Sequence, residues 1–489
     1  GEEGRQRSGF ADSVVGATAI EYESDLRKRD KYITGRHQVE QYCAGLLNDG
    51  VHADVVRGIL SDGVDWYAYS IGQVPERGIG EYRSEDIDLV EIDSISLKSV
   101  DSGTAEDWVA FLNRHLGREG ARTLSADSLT EYIGFTNATG RSHLASAAAI
   151  VEEAREFDPS QSDLIRYIWR IFAGYVSVGS QTQKDEDESY AQEFYLSVVA
   201  RLICANTIER SALRSDDDEL AQILNGDYFE SRGLARLVEH DYFGWLFNDS
   251  FLPNLLPVAR VIQDDLRAFD FTQQTDSDLF GSLMASLARA PQRILLGQEW
   301  TPSWLADAIA ANLMSELGDE VMPRFVDMCA GSGALISAVN RRVQKRLTDV
   351  GYTPGSAEAL AHLTDSATGF DIDPLAVMLA KVNWVVSNRD WLGELDGSRK
   401  VAPPIYNADS LFALAPVFAD HSDDDPDLPY SIRMHDREVQ LPRLLVSPGM
   451  QSLFDGILSG AYHLGMHVAH RGHLSDITTE RTESVVKEA

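Results

Sequence analysis

The sequence predicts an α/β protein in which a helical connector and a small α/β domain precede a doubly wound parallel sheet. Three observations predict it. From Gly297 onward, short apolar runs alternate with helical periodicity, the pattern of strands wrapped by crossover helices. Between 101 and 290 apolar residues recur at helical spacing. Within 1–100, strand-like runs flank an Asp-Gly turn. The expected divisions are 1–100, 101–290, 291–412, and a last stretch over 413–489 that follows the third strand of the sheet.

In order along the chain, Val14–Tyr22 reads as one strand, Gly35–Leu47 as an amphipathic helix and Val56–Leu60 as a second strand. Ser61-Asp-Gly-Val64 is a hairpin turn, because Asp-Gly readily supplies positive φ, and Trp66–Ile71 returns as a strand with alternating aromatics. Leu164–Val176 and Phe194–Ala205 read as helices, with Lys184–Ser189 and Ser215–Glu219 as acidic loops. Phe325–Met328 is a short strand that runs into a Gly-Ser-Gly turn and the helix Ala334–Lys345. A second strand ends at Thr368-Gly-Phe-Asp-Ile-Asp-Pro374, followed by the helix Asp373–Ser387. A third runs into Tyr406-Asn-Ala-Asp-Ser-Leu-Phe412; Asp420–Pro429 is an acidic loop, and Leu441–Leu464 returns to helix.

Charge is the unusual bulk property. Acidic residues number 77 against 43 basic ones, a net charge of -34, and only 8 of the basic residues are lysines. Basic surface normally neutralises phosphates, so this balance argues against an overall basic nucleic-acid binder but leaves room for a local groove. Abundant carboxylates with few lysines suit solubility at high salt, where screening removes their mutual repulsion. Cys43, Cys204 and Cys329 are too few and scattered for a disulfide framework or a zinc cluster. No run of eighteen apolar residues occurs, and no charged-then-apolar leader opens the chain. The expectation is a cytoplasmic protein with no membrane partner. A chain that begins at Gly1 and stops in a polar tail also reads as a fragment or as one polypeptide of a larger system.

Chemistry concentrates at the strand ends. Asp327-Met-Cys-Ala-Gly-Ser-Gly333 places a glycine turn between a strand and a helix N-terminus, where backbone amides approach a ligand closely. Alone this also fits a dinucleotide binder or a plain tight turn. Asp371 ends the next strand, where a carboxylate accepts the two hydroxyls of a ribose, and Asp409 ends the third, where a carboxylate meets an adenine amine. With Gly297-Gln-Glu-Trp-Thr-Pro302 upstream and the Asp-Ile-Asp-Pro helix carrying Asn383, this order resembles the adenine-N6 DNA methyltransferases of restriction-modification and phage-defence systems. The resemblance implies a Rossmann-like class I methyltransferase sheet, S-adenosylmethionine as cofactor and DNA as substrate. It places Thr301 and Pro302 over the methionine end of the cofactor, and Asp327, Gly331 and Gly333 in the methionine-side loop. Asp371 falls on the ribose, Asp409 on the adenine amine, and Ile372 and Leu411 on the two faces of the ring. The Cys329 side chain reads as a small buried filler, with its backbone lining the loop. The family's Asn/Asp-Pro-Pro-aromatic motif, which orients the target amine and stacks on the extruded base, does not occur in the chain. Residues 413–489 resemble the insertion that some large members carry ahead of that motif, so no catalytic residue of the transfer is named.

The amino-terminal region carries Asp12 and Ile20-Glu-Tyr-Glu23, which resemble the PD-(D/E)xK nuclease core, where an aspartate and a strand carboxylate hold Mg²⁺. The resemblance makes Asp12 and Glu21 the metal ligands and puts Glu23 where the family has lysine. That reversal favours an inactive or DNA-contacting domain over an active nuclease, with Lys28 or Lys31 as cations that could reach in. The whole reads as the cofactor-binding part of a site-specific DNA adenine-N6 methyltransferase, together with other subunits of a restriction or defence system. The alternatives are a non-catalytic DNA-binding scaffold that keeps the cofactor fold, and a methyltransferase for RNA or protein glutamine.

Overall fold

Period-two alternation in the first hundred residues resolves into β1 (Ser13–Val15), β2 (Thr18–Tyr22), β3 (Arg57–Ser61), β4 (Asp65–Ile71) and β5 (Leu89–Ser96), with α1 (Arg29–Asn48) crossing between β2 and β3. These come from a computed structural model that describes residues 12–53, 55–72, 74–75, 77–98, 102–117, 120, 122–176, 183–213, 215–238, 242–273, 278–287, 301–318, 322, 324–408, 430–434 and 437–441. The chain divides into two units, 1–124 with 128–145 and 261–271, and 125–127 with 146–260 and 272–489. The protein is α/β.

In the first unit the five strands form one sheet in sequence order; β2 and β3 run parallel and the other neighbours antiparallel. The expected single strand over 14–22 is instead a hairpin. Gly16, at φ +59°, turns the chain and pairs Val15 with Thr18. Alternate side chains then feed two cores. Leu60 and Tyr69 pack with Val39, Cys43 and Leu47 of α1. Ile20, Ile59, Trp66 and Ala68 pack with Phe111 and Trp108 of α2 (Ser102–Leu116) on the other face. Gly58 lets α1 sit this close, since a Cβ there would lie 2.2 Å from Val39 Cγ1. Gly63, at φ +85°, makes the expected Asp-Gly turn between β3 and β4. Arg114 of α2 is buried between two carboxylates, pairing with Asp265 at 3.0 Å and with Asp93. His115 and His143 complete that polar core at 2.9 Å from Asp93 and 2.7 Å from Asp265.

Beyond α2 come β6 (Arg122–Thr123), α3 (Ala126–Ile133), α4 (Ala138–Phe157), α5 (Pro159–Val176), α6 (Gln183–Glu209), α7 (Asp217–Asn225), α8 (Asp227–Ser231) and α9 (Leu252–Leu266). Two expected acidic loops are helical. Lys184–Ser189 forms the first turns of α6, and Asp217–Glu219 opens α7 behind the Asp216 N-cap, whose carboxylate accepts the Glu219 N–H at 2.8 Å. Carboxylates are favoured there because a helix N-terminus carries partial positive charge, so acidity marks a helix start as readily as a loop. In the first unit β7 (Phe269–Asp270) pairs parallel with β6.

The rest of the second unit adds α10 (Gly281–Leu287), α11 (Ser303–Glu316), β8 (Phe325–Asp327), α12 (Ala334–Val350), α13 (Ala357–Ser366), β9 (Ala367–Asp371), α14 (Pro374–Leu392) and β10 (Ile405–Asn407). The three strands form a parallel sheet in the order β10-β9-β8. α14 is its buttress. Asp373 caps it by accepting the Leu375 N–H at 2.9 Å, Pro374 supplies the preset first turn, and Leu375–Asn388 is buried on every side. A helix with no polar stripe set aside for solvent belongs inside, and α6 packs along it. A final hairpin joins β11 (Tyr430–Met434) to β12 (Arg437–Leu441), so Leu441 ends a strand; the expected helix beyond it lies outside the described residues. No helix among the described residues is long and apolar enough to cross a membrane.

Candidate functional site

Parallel pairing brings the carboxyl ends of β8, β9 and β10 to one edge, with Asp327 level with Gly369 and Asn407 level with Asp371. The chain after β8 cannot continue as helix at once. Gly331 and Gly333 sit at φ +52° and +88°, in the left-handed region open to glycine, and the second turns the chain into α12. A Cβ on Gly333 would meet Ala380 of α14 at 3.1 Å, so the turn also needs glycine for its close approach.

Asp371 ties this turn to the next strand. Its Oδ2 accepts the Gly331 N–H at 2.8 Å and its Oδ1 the Asp373 N–H at 2.9 Å. The Ala330 N–H donates to the Phe370 carbonyl at 2.9 Å, and the Ala408 N–H to the Asp371 carbonyl at 2.9 Å. Asn407, which no motif singled out, donates its amide to the carbonyls of Asp371 and Ile372 at 3.1 and 3.0 Å. Asp327 accepts the Cys329 N–H at 3.2 Å. Burial raises its pKa above the usual aspartate value, and the charge of Asp371 adds to this.

The structure thus brings Asp327, Cys329, Gly331, Gly333 and Asp371 to one strand edge, with Ile372 exposed beside them. Cys329 departs from expectation: its side chain is exposed rather than a buried filler, because the loop directs Ala330 inward instead. Thr301 and Pro302 open α11, where the Pro302 carbonyl accepts the N–H groups of Leu305 and Ala306. α11 is clamped to α12 by Asp307, which accepts from Arg341 and Arg342 at 2.7 and 3.1 Å. Asp409 and Leu411 lie outside the described residues. An apolar cavity of about 120 Å³, lined by Ile309, Leu313, Val326, Met328 and Val339, adjoins Asp327. It is too small for a nucleoside.

The residue missed from sequence that matters most is Asp278, which acts together with Asn383. Asn383 falls inside a quoted motif but shows no chemistry there; Asp278 lies in a polar stretch with no pattern of its own. Both are buried behind the glycine turn and reach it through Ser332.

In the first unit Asp12, Glu21 and Glu23 lie near one another. Asp12 accepts the Tyr22 N–H at 2.9 Å. Glu21 is 5% exposed, and its Oε2 has no hydrogen-bond partner among the described residues. Burial, then the charge of Asp12, pushes its carboxyl up, while a hydrogen bond from Tyr42 opposes the shift. Lys31 of α1 reaches Glu23 at 3.1 Å; Lys28 pairs with Asp25 instead. Asp12 and Glu21 are hard oxygen donors of the kind Mg²⁺ takes. No group of three carboxylate, imidazole or thiol side chains among the described residues has metal-site spacing.

No family model matches the chain, and no curated protein matches it. Solved structures similar to it include a cryo-EM structure of a DrdV–DNA complex, at TM-score 0.32 and 11% identity over 81% of this chain and 33% of that one. The type IIG restriction endonuclease BpuSI is similar at TM-score 0.29 and 13% identity, over 83% of this chain and 40% of that one. The chain therefore spans a third to two fifths of the length of these structures. Likeness at that level leaves the functional reading to the residues themselves.

Proposed function

We propose that this chain is the S-adenosylmethionine-binding part of a DNA adenine-N6 methyltransferase in a restriction or anti-phage system. The supporting observation is a side-chain bond between two motifs: the Gly331 N–H donates to Asp371 Oδ2 at 2.8 Å, which joins the glycine turn to the ribose-type carboxylate. Asp371 keeps lone pairs for two ribose hydroxyls, and Ile372 offers an exposed apolar face to the adenine ring. Asp409 and Leu411 would complete the adenine pocket, and Thr301 and Pro302 would cover the methionine end. When bound, S-adenosylmethionine supplies the methyl group. The base-clamping Asn-Pro-Pro-aromatic motif is not among these 489 residues, so the transfer itself is assigned to no residue here. In the first unit, Asp12 and Glu21 would hold Mg²⁺ in a nuclease-like domain that contacts DNA.

Calorimetry with S-adenosylmethionine tests the reading. Asp371→Ala removes charge-assisted hydrogen bonds worth about 1.5–3 kcal/mol each at most, so affinity should fall at least about tenfold. Equal binding by the variant and the parent chain would end the assignment.

A further inference from the structure

Behind the glycine turn lies a carboxylate that no sequence motif contains. Asp278 is 7% exposed, and none of the described lysines or arginines pairs with it. Four donors serve it instead. Oδ1 accepts from the Asn383 amide at 2.6 Å and from the N–H groups of Phe280 and Gly281 at 3.0 and 3.1 Å. Oδ2 accepts from the Ser332 hydroxyl. Asn383 uses its second amide hydrogen on the Ser332 carbonyl at 2.8 Å and accepts the Leu279 N–H at 3.1 Å. Ser332, the middle residue of the turn, is therefore held by side chain and carbonyl together. Its own N–H has no acceptor among the described residues.

A buried carboxylate without a cation is costly unless its lone pairs are filled, and here every donor belongs to the turn or to the segments behind it. The effect is to lock the main chain of the turn before any ligand arrives. Preorganised amides bind an anion without a further ordering cost. The two ends of S-adenosylmethionine differ in what they need. Its ribose donates hydroxyls, which suits the Asp371 carboxylate; its amino-acid carboxylate accepts, which suits N–H groups at the head of α12.

We infer that Asp278, acting through Ser332 and Asn383, is a positioning residue that fixes the Gly331–Gly333 turn for the amino-acid end of the cofactor. The inference rests on the cofactor reading and deepens it. The test measures Kd on the full chain for S-adenosylmethionine and for 5′-methylthioadenosine, the same nucleoside without the amino-acid tail. Asp278→Asn removes the charge and sets an amide N–H against the Ser332 hydroxyl, which must turn from donor to acceptor, so every bond at this position loses its charge assistance. Its Kd for S-adenosylmethionine should rise about tenfold or more, while that for the tailless nucleoside changes less than about twofold. Ser332→Ala, which removes only a hydroxyl, should show the same split at about three- to tenfold and serves if Asp278→Asn does not fold. Unchanged S-adenosylmethionine affinity in both variants, or equal weakening of both ligands, overturns the positioning role while the cofactor reading stands. A parent chain that binds neither ligand overturns the cofactor reading, and this inference with it.

Discussion

Glu193 on α6 accepts the Trp169 indole N–H at 2.9 Å, and burial followed by the charge of Asp373 pushes its carboxyl up to about 8. Asp373, the cap of α14, is itself pushed up by burial and then by the charge of Asp371. Carboxylates thus crowd back from the candidate site into the protein. A folded-state pKa above the unfolded one means that the folded chain holds the proton more tightly. The stability from a neutral Glu193 is fully present below the ordinary carboxylate range and is lost as pH rises through about 8. Glu193→Gln keeps an acceptor for Trp169 and cannot ionise. Its melting temperature should match the parent chain near pH 5 and exceed it by about 2–4 °C near pH 9. Parallel pH profiles for the two proteins would rule this out. None of this was legible beforehand, because a glutamate inside a helical run looks the same whether it faces water or a second carboxylate.

Elements decide what the amino-terminal acids do. β2 carries Glu21, Glu23 follows directly on the strand's end, and α1 returns Lys31 to within 3.1 Å of Glu23. In sequence the expected lysine position reads as a charge reversal; in the fold, a cation from the next helix answers it. That lysine is engaged by a carboxylate, so it offers less positive charge to an attacking water or to a phosphate. Plasmid DNA incubated with Mg²⁺ or Mn²⁺ should accordingly stay intact. Metal-dependent nicking that both Asp12→Ala and Glu21→Ala abolish would reverse this. At the same scale, the strand-turn-helix of β8 and α12 was readable because glycine spacing and an apolar run dictate it locally. The hairpin in place of one long first strand was not, because Gly16 breaks a run whose alternation otherwise continues.

For the molecule as a whole, a net charge of -34 predicts self-repulsion that salt relieves. Raising KCl from about 0.1 M to about 1 M shortens the screening length from about 10 Å to about 3 Å, so the melting temperature should climb. A flat or falling melting temperature over that range would remove salt adaptation as the reason for the acidity. The sequence by itself determined the α/β class, the Asp-Gly turn, the helices of the middle region and the order of strand-end motifs. Each follows from local preference or from periodicity, which neighbours in the chain impose on one another. Tertiary structure alone decided that Asp371 grips the turn after β8, forty residues away in sequence, and that Asp278 and Asn383 brace that turn from behind. It also decided that Lys31 faces Glu23 and that Cys329 points outward. The physical reason is common to all four. Which side chain turns inward, and which polar atom finds which partner, depends on packing between elements distant in the chain, and no local pattern encodes that choice.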